Sequence, residues 1–486
     1  MPRKSKAPKT ETAEPNPALR IIFVILIAIQ AFVSGLLIHA LIKLNLLQGW
    51  QIFLFILVLL GFLLLSAYKL IISKKAGRIS KAICLILTLL VTIAAAFGIK
   101  YVHQTINFVE SVTGTHNETE IYQVRVLKTS SYKEISQLNR QHVGFLSTNP
   151  NLENTKNALK TAVDYKAKEY EEIGSLIASI NDYNVAAVVL NQSYLDFLEE
   201  SDSNFVEESV SIYEFKVLVD AQDNPSAVDV VSDPFILYIS GSDSRGDITE
   251  TARSDVNILM VVNPKTFKML LVSIPRDYYV QLHGTKGTKD KLTHAGIYGI
   301  QMSKNTIQDL LDIDINYTAK VGFQTLTNVV DAVDGIEIDS DQAFKTSKCE
   351  FKKGKQKVNS ECALAFARER YAYSSGDRHR GQNQQQIIAA LIHKISDPHY
   401  LVRYSKILEA AQGSFETSLT YDEITNFAKY QLSELRGWKI ESISLDGTGA
   451  MLPTYSMGAQ PLYVMQPDMK TVHKAQKKIN EYLSAE

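Results

Sequence analysis

The stretch Phe235-Ile-Leu-Tyr-Ile-Ser240 is an apolar run that passes directly into the polar, charged segment Gly241-Ser-Asp-Ser-Arg245. Two further apolar runs follow, Asn257-Ile-Leu-Met-Val-Val262 and Lys268-Met-Leu-Leu-Val-Ser-Ile274, and the second of them leads into Arg276. Apolar runs of this length are typical of buried strands. Charged residues gathered at strand ends indicate a site built where loops leave a sheet. The sequence therefore predicts an α/β fold with a charged binding site at one edge of its sheet.

The first hundred residues predict a membrane anchor. Three apolar runs cover residues 21–44, 51–72 and 82–102, each close to the ~20 residues that a helix needs to cross a bilayer. A buried core helix is the alternative for any one run, but three in succession leave little room for other structure. Basic residues occupy the leading tail, 1–20, and the connection 73–81, whereas the connection 45–50 holds none. Because basic loops stay in the cytoplasm, we predict a multi-pass plasma-membrane protein with a cytoplasmic N-terminus and extracellular C-terminal domains.

The charge balance differs between the two parts of the chain. The whole sequence has 51 Lys+Arg and 52 Asp+Glu, of which residues 1–100 hold 12 basic and 2 acidic side chains. The predicted outer part, residues 101–486, is therefore acidic, with 39 basic and 50 acidic side chains. An acidic exterior binds nucleic acid poorly, so we expect no nucleic-acid partner.

Strand-like and helix-like segments alternate in the outer part, which is typical of a mixed sheet flanked by helices. One helix is predicted over 151–169 and others over 361–370 and 382–395. The polar, turn-forming stretch Ala221-Gln-Asp-Asn-Pro-Ser226 predicts a domain boundary. The predicted organisation is a cytoplasmic tail (1–20), three transmembrane helices (21–102), a small extracytoplasmic α/β accessory domain (103–228) and a larger α/β domain (229–486) whose core spans 233–400.

Carboxylates and arginines near the strand ends predict a site for a metal-bound phosphate. Asp243 and Asp255 lie near the end of one strand and the start of the next. Two adjacent carboxylates repel each other unless a cation lies between them, and Mg²⁺ or Mn²⁺ with oxygen ligands fits that need. Arg368-Glu-Arg370 and Asp377-Arg-His-Arg380 add guanidinium groups, which bind phosphate oxygens in bidentate pairs. The alternatives are solvated loop aspartates and a solvated basic helix face.

Two outer cysteines, Cys349 and Cys362, flank the turn-rich stretch Lys352-Lys-Gly-Lys-Gln-Lys357. They could pair across a hairpin-like excursion, where a disulfide would stabilise the fold by ~3 kcal/mol if unstrained. The alternative is two unpaired thiols, and the sequence leaves the choice open.

Seven motifs that occur in order carry a resemblance to a known family. They are Gly241-Ser-Asp-Ser-Arg245, Arg253-Ser-Asp255, Ser273-Ile-Pro-Arg-Asp277, Asp290-Lys-Leu-Thr-His-Ala295, Val333-Asp-Gly-Ile336, Arg368-Glu-Arg370 and Asp377-Arg-His-Arg-Gly-Gln-Asn-Gln-Gln385. In these motifs the chain resembles the LytR-CpsA-Psr family of Gram-positive bacteria. Its predicted membrane helices and accessory domain are most similar to the streptococcal capsule-biosynthesis members of that family.

The resemblance implies an enzyme that transfers capsular polysaccharide from an undecaprenyl-pyrophosphate carrier to peptidoglycan in a Mg²⁺-dependent phosphotransfer. It implies Asp243 and Asp255 as metal ligands and Arg276, Arg368 and Arg370 as catalytic residues. The residues implied to bind pyrophosphate are Arg276, Lys291, Arg368, Arg370, Arg380 and Gln384. His379 departs from the family pattern, in which an acidic residue is frequent at this position.

Several points stay open at the level of the sequence. A general base must take a proton from the acceptor hydroxyl, and Asp247, Asp277 and Asp377 are candidates. The carrier lipid needs an apolar slot, which we expect between the helix holding Ile387, Ile388, Ala390, Leu391 and Ile395 and the helix holding Leu310 and Leu311.

Two other functions compete with the transferase. One is an integral-membrane regulator of capsule synthesis that acts without catalysis, through contacts with a capsule kinase or polymerase. The other is a pyrophosphatase that acts on the lipid carrier. Membrane lipid and peptidoglycan remain the expected partners of the transferase.

Overall fold

The computed structural model describes residues 17–73, 77–113, 118–200, 204–219, 228–242, 247–373, 376–397, 404–413 and 415–485. The chain divides into two compact units, Met1–Val109 with Thr425–Ser433 and Glu110–Ile424 with Glu434–Glu486. The first unit contains most of the apolar N-terminal helices. The second contains both large sheets and the residues that the sequence assigns to the site.

Three N-terminal helices in the described part of the chain are long and apolar enough to cross a membrane. They are α1 Pro17–Leu44, α2 Gly49–Ala67, which continues as a π-helical turn to Ile72, and α3 Arg78–Val112. The mean hydropathy of their most apolar windows is 2.8, 2.5 and 2.7. The hydroxyl groups of Ser66 and Thr88 are both buried and lie 2.8 Å apart, so they satisfy each other between α2 and α3. The three predicted apolar helices are confirmed, and their orientation in the membrane stays a prediction.

A five-stranded sheet follows, which we call the accessory sheet. Its elements are β1 Glu118–Leu127, β2 His142–Leu146, α4 Leu152–Lys160, β3 Lys166–Tyr170, α5 Ile173–Asn181, β4 Ala187–Asn191, α6 Gln192–Glu200, α7 Phe205–Glu208 and β5 Ser209–Val219. The strand order is β3-β2-β4-β1-β5. β1 runs antiparallel to β4 and β5, whereas β2 runs parallel to β3 and β4.

The helix predicted over 151–169 is wrong in its second half. Helix α4 ends at Lys160, and β3 begins at Lys166. Val163 and Tyr165 alternate around Asp164, and both are buried in the core beneath the sheet. A two-residue spacing of this kind suits an extended chain rather than a helix.

The larger half of the second unit is built on a central six-stranded sheet. Its first elements are β6 Phe235–Ser242, β7 Val256–Asn263, β8 Lys268–Ser273, β9 Tyr279–Val280, β10 Asp290–Lys291, α8 Leu292–Ala295, α9 Ile300–Leu311, β11 Tyr317–Gly322, α10 Phe323–Ala332, β12 Ile336–Ser340, β13 Phe344–Lys345, β14 Glu350–Phe351 and β15 Gly354–Val358. The remaining elements are α11 Ser360–Arg368, α12 Asp377–Ile395, α13 Tyr404–Ala411, β16 Phe415–Thr417, α14 Tyr421–Glu434, β17 Lys439–Ser444, β18 Gly447–Thr454, β19 Gly458–Pro467 and α15 Met469–Ser484.

The central sheet is mixed, as predicted, and has helices on both faces. Its strand order is β16-β11-β6-β7-β8-β17; β11 is parallel to β6 and β17 is parallel to β8, and the other pairs are antiparallel. Tyr238, Leu259 and Val272 form one row of the face that packs on α9 and α15. Gly381 of α12 packs on the other face, where a Cβ atom would lie 2.4 Å from Ser273 Oγ. The α/β fold class is therefore confirmed.

The predicted apolar slot between α12 and the helix holding Leu310 and Leu311 is wrong. Leu310 and Leu311 of α9 pack in the core between the central sheet and α15. Ile387, Ala390 and Leu391 of α12 pack in a different core, with α10, α11 and α13. The two helices contribute to opposite faces of the sheet, which periodicity within each helix does not reveal.

Cys349 and Cys362 form a disulfide with a Cα–Cα distance of 5.7 Å. The bond links the β14 excursion to the first turn of α11. The alternative of two unpaired thiols is therefore wrong. The accessory sheet and the central sheet lie within one compact unit, and the domain boundary after 228 stays a prediction.

Candidate active site

A narrow cleft lies where β7 begins, β8 ends and α12 starts. Its volume is only about 10 Å³, so the side chains that line it are close together. The sequence-predicted residues that line it are Asp255, Arg276, Arg380 and Gln384. The others are Asn257, Ser273, Ile274, Pro275, Arg378, Gly381, Ser444 and Leu445. Four residues predicted from three separate motifs therefore meet at one edge of the central sheet.

Asp255 and Arg276 form an ion pair at the centre of this cleft. Arg276 Nη1 lies 2.6 Å from Asp255 Oδ1, and the two side chains are only 15% and 12% exposed. The backbone also holds both residues in place. Asp255 N–H donates to the carbonyl of Gly241, and Thr293 N–H donates to the carbonyl of Arg276. The cleft thus places a carboxylate and a guanidinium group where strands β6, β7 and β8 meet their loops.

Lys291 belongs to a layer behind the cleft. Its Nζ lies 3.3 Å from Asp277 Oδ1, and Asp277 Oδ2 lies 3.7 Å from Arg276 Nε. Asp290 fixes this segment, because its Oδ1 accepts a hydrogen bond from Lys291 N–H and lies 2.6 Å from Nδ1 of the buried His294. Lys291 therefore contacts the site through Asp277 and is not among the residues found to line the cleft.

Helix α12 brings Arg380 and Gln384 to the cleft from one face, because residues four apart share a helix face. Amide side chains of the same helix fix its position. Asn383 Nδ2 donates to Phe366 O at 2.9 Å, and Gln384 Nε2 donates to Ala367 O at 3.3 Å. Gln385 Nε2 donates to the carbonyls of Leu271 in β8 and Ile443 in β17. The glutamine- and asparagine-rich motif thus fastens α12 to α11 and to the central sheet.

His379 lies between the two cleft-lining arginines of α12 but points elsewhere. Its ring stacks on Tyr373 with 3.4 Å between centroids, and its Nε2 lies 3.7 Å from Asp341 Oδ2. Burial lowers the pKa of His379 below its ordinary value. The departure from the family pattern therefore acts on the packing of Tyr373 against α12.

Arg368 and Arg370, which the sequence predicts at the phosphate site beside Arg276, are not among the described residues that line the cleft. The Arg368 guanidinium lies over the ring of Phe323, 5.1 Å from its centroid. Phe323 follows Gly322, which pairs with Ser242 at the end of β6. Arg368 therefore lies at the same edge of the sheet, on the side of the β6 loop, and its role stays a prediction.

Asp243, the other predicted metal ligand, lies outside the described residues, as does the side chain of Asp377. Among the residues that the structure describes, no group of three or more His, Cys, Asp and Glu side chains could hold a metal ion. Mg²⁺ commonly binds one or two carboxylates and completes its shell with phosphate oxygens and water. The carboxylate of Asp255 beside the guanidinium groups of Arg276 and Arg380 fits that pattern, so this donor chemistry suits a Mg²⁺–pyrophosphate group.

The candidates for the general base differ in their surroundings. Asp247 Oδ1 accepts hydrogen bonds from the backbone N–H and the hydroxyl of Thr249, which lower the pKa of Asp247. A carboxylate bound in this way is a weaker base and serves to shape the turn. Asp277 lies between Arg276 and Lys291.

Arg378 is a residue of the cleft that was not predicted from the sequence, although it lies in the same motif as Arg380. It lines the cleft and forms an ion pair with Asp446.

Known proteins are similar to the C-terminal part of this chain. The LytR_cpsA_psr family profile matches residues 203–478. The polyisoprenyl-teichoic acid–peptidoglycan teichoic acid transferase TagU of Bacillus cereus is 36% identical over 219 residues, which are 45% of this chain and 70% of the relative. TagU of Bacillus subtilis is 32% identical over 254 residues, 52% of this chain and 78% of the relative. The crystal structure of B. subtilis TagV has 31% sequence identity and a TM-score of 0.44, covering 52% of this chain and 99% of that one.

Proposed function

Because the chain belongs to the LytR-CpsA-Psr family, we propose that it transfers a glycopolymer from a polyisoprenyl-pyrophosphate carrier to peptidoglycan, and that the polymer is capsular polysaccharide. The TagU relatives are named for the same class of transfer, with teichoic acid as the polymer. The observation that carries the proposal is the meeting of Asp255, Arg276, Arg380 and Gln384 in one cleft. The capsular polymer and the dependence on Mg²⁺ rest on the motif resemblance.

The cleft has the groups that pyrophosphate binding requires. Arg276 and Arg380 offer planar guanidinium forks, which bind phosphate oxygens in bidentate pairs and stay charged at any physiological pH. Gln384 adds an amide beside them. Arg276 Nη1 now donates a hydrogen bond to Asp255 Oδ1, and a phosphate oxygen would replace Asp255 as one acceptor of the guanidinium group. This exchange costs little, because phosphate and carboxylate present similar oxygen acceptors to the guanidinium group.

Transfer requires charge stabilisation more than covalent help from the protein. The acceptor hydroxyl attacks the phosphorus that carries the polymer, and the lipid phosphate leaves with the bridging oxygen. Negative charge grows on that oxygen, and Arg276 and Arg380 offset it from fixed positions. A Mg²⁺ ion bound by Asp255, with Asp243 as the second proposed ligand, would supply Lewis-acid stabilisation of the phosphate oxygens.

The carrier lipid needs an apolar surface beside the cleft. Leu237, Met260 and Leu271 form a row across β6, β7 and β8. Alternation along β8 puts Leu271 on the same face as Ser273, which lines the cleft and contacts α12. This row is largely buried beneath α12, so we propose that the isoprenyl chain reaches it when α12 moves away from the central sheet.

The test is reconstitution of the full chain in lipid nanodiscs with Mg²⁺, undecaprenyl-pyrophosphate-linked capsular polysaccharide and peptidoglycan. The readout is polymer bound covalently to peptidoglycan. Arg276→Ala should lower the rate by ~10³-fold, as expected for an arginine that offsets transition-state charge. The matched control is Arg436→Ala, which removes an exposed arginine that lies over Phe267, and its rate should equal that of the wild type.

The same assay separates the competing functions. If phosphate is released from the carrier lipid at the same rate with and without peptidoglycan, the protein is a lipid pyrophosphatase. If the wild-type protein binds the carrier lipid but attaches no polymer to peptidoglycan, the transferase function is refuted. The integral-membrane regulator then remains as the alternative function. Replacing the capsular donor with lipid-linked teichoic acid tests the polymer, since equal rates for both donors would contradict the proposed specificity.

A further inference from the structure

The loop between β6 and β7 contacts the accessory sheet. This loop spans 243–255 and carries both proposed metal ligands; its described part is 247–255. Thr119 of β1 donates its N–H to Thr249 O at 2.9 Å and accepts a hydrogen bond at its carbonyl from Thr251 N–H at 3.0 Å. The two bonds form a parallel bridge between Thr119 and Glu250. The middle of the loop is therefore paired as a strand to the accessory sheet.

Side chains from two other accessory elements hold the same part of the loop. Ser193 Oγ of α6 donates to Thr251 O at 3.2 Å. Lys216 Nζ of β5 lies 3.5 Å from Glu250 Oε1. Thr251 itself is buried. Contacts from β1, α6 and β5 converge on three consecutive loop residues, so the accessory sheet restricts this segment from several sides.

A buried carboxylate of the accessory sheet also links the loop to the central sheet. Glu118 Oε1 lies 2.9 Å from Lys320 Nζ of β11, and Glu118 Oε2 accepts from Ile300 N–H at the start of α9 at 2.9 Å. Lys320 Nζ also donates to the carbonyl of Glu250 at 3.1 Å. The side chains of Glu118 and Lys320 are 10% and 13% exposed. Removing one partner of such a pair leaves the other charge uncompensated, which displaces or destabilises what it holds.

The held segment leads directly into the cleft. Ser254 N–H donates to Thr293 O, and Asp255 N–H donates to Gly241 O, so the end of the loop is fixed to the central sheet. Only a few residues separate Glu250 from Asp255. A shift of Glu250 would therefore strain these two bonds and displace Asp255 once they yield, because the four intervening residues have a limited reach.

We propose that Glu118 is a positioning residue of the phosphotransfer site. Acting through Lys320 and alongside the Thr119 bridge, it fixes the loop that carries Asp255 and so sets the geometry for the divalent cation. The inference rests on the proposed function, and it gives the accessory sheet a part in that function. Glu118 does not touch the reacting groups and acts only through the loop.

The test compares Glu118→Gln with the wild type, as full chains in nanodiscs. Gln keeps the shape and an acceptor for Ile300 but loses the charge that holds Lys320. The first readout is Mn²⁺ binding, followed by electron paramagnetic resonance without carrier lipid or peptidoglycan. We expect the Mn²⁺ dissociation constant to rise about 10-fold, as for residues that orient metal ligands. The second readout is polymer attachment, in which the Mg²⁺ concentration for half-maximal rate should rise equally while KM for the lipid donor stays unchanged.

Glu169→Gln is the matched control. It breaks the ion pair between Glu169 of β3 and Lys156 of α4. β3 is the edge strand of the accessory sheet away from the loop, so both readouts should stay unchanged. Ser193→Ala is a milder second variant if Glu118→Gln does not fold, and it should weaken Mn²⁺ binding in the same direction. Unchanged Mn²⁺ affinity in folded Glu118→Gln and Ser193→Ala proteins would overturn the positioning role. If the wild type attaches no polymer, the proposed function fails, whereas the Mn²⁺ titration still decides this inference.

Discussion

Glu120 gives a prediction about pH and stability that can be worked out from its surroundings. The residue lies in β1 and is 1% exposed. Tyr122 Oη donates to one carboxylate oxygen at 2.5 Å, and Asn151 Nδ2 donates to the other at 3.1 Å. Burial outweighs these hydrogen bonds and raises the pKa of Glu120 from 4.5 to about 7. The native protein therefore holds a proton on Glu120 over a pH range in which the unfolded chain has released it.

The sign of the effect follows from linkage. A raised pKa in the folded state contributes stability that is fully present below pH 4.5 and is lost as the pH rises through about 7. The difference between the two pKa values corresponds to about 3 kcal/mol. Glu120→Gln stays neutral at every pH, so it escapes this loss. We expect the variant and the wild type to be about equally stable near pH 4.5 and the variant to be about 3 kcal/mol more stable at pH 8.

The geometry suits the substitution. A glutamine amide can donate to Tyr122 Oη and accept from Asn151. The cavity beside Glu120 has a volume of about 20 Å³ and is lined by Asn149, Tyr194 and Tyr298 among others, so one water molecule fits and can bind the second amide hydrogen. The Tyr122 hydroxyl must turn its own hydrogen away from position 120, and any cost of this change is the same at every pH, so the change in the stability difference between pH 5 and pH 8 is unaffected.

The assay is thermal unfolding of the full chain in nanodiscs between pH 5 and pH 8. The Tm of Glu120→Gln relative to the wild type should increase across this range by on the order of 5 °C. Glu214→Gln, at an exposed position on β5 of the same sheet, controls for loss of a carboxylate as such. A Tm difference that stays constant from pH 5 to pH 8, or that shrinks as the pH rises, would refute the assignment of a buried, protonated Glu120.

Two further predictions concern the central half of the second unit. Replacing both Cys349 and Cys362 with Ser should destabilise the segment before α11 by about 3 kcal/mol, because the unfolded chain regains the entropy of a loop with a sequence separation of 13. If reduction of the wild type leaves its Tm unchanged, this prediction is contradicted. Gly381→Ala should lower polymer attachment about 10-fold, because its Cβ would meet Ser273 Oγ at 2.4 Å and force α12 away from β8; adding Ser273→Gly should restore most of the rate, and failure of that rescue would locate the cause elsewhere.

The strands of the central sheet were predictable because they are buried on both faces. Phe235 to Ser240 and Asn257 to Val262 are continuous apolar runs, and such runs carry a strong local signal. Gly335 shows a different kind of predictable position. It follows α10 with φ +79°, a backbone conformation that favours glycine, and a Cβ atom there would lie 2.6 Å from Val358 O. The apolar runs and the turn-forming glycine are both visible in the sequence, whereas the close approach of Val358 is not.

The contacts that join the accessory sheet to the site were not predictable from the sequence. Glu118 and Lys320 are separated by 202 residues, and neither lies in a motif. Glu118 is the first residue of an ordinary half-polar strand, so nothing local distinguishes it from a solvated glutamate. The prediction of an apolar lipid slot between the helix holding Leu310 and α12 was wrong for a related reason. Periodicity identifies the buried face of a helix, but not the face of the sheet on which that helix packs.

The ion pairs of the site explain how a cluster of cations can be built before any phosphate arrives. Arg276 pairs with Asp255, and Lys291 pairs with Asp277, in surroundings that are largely buried. Without these carboxylates the cations would be buried and uncompensated, which would oppose folding. Each carboxylate therefore serves the fold by neutralising a buried cation. In the proposed function, pyrophosphate binds beside Arg276, whose guanidinium group already lies at hydrogen-bonding distance from an oxygen acceptor and needs little reorganisation.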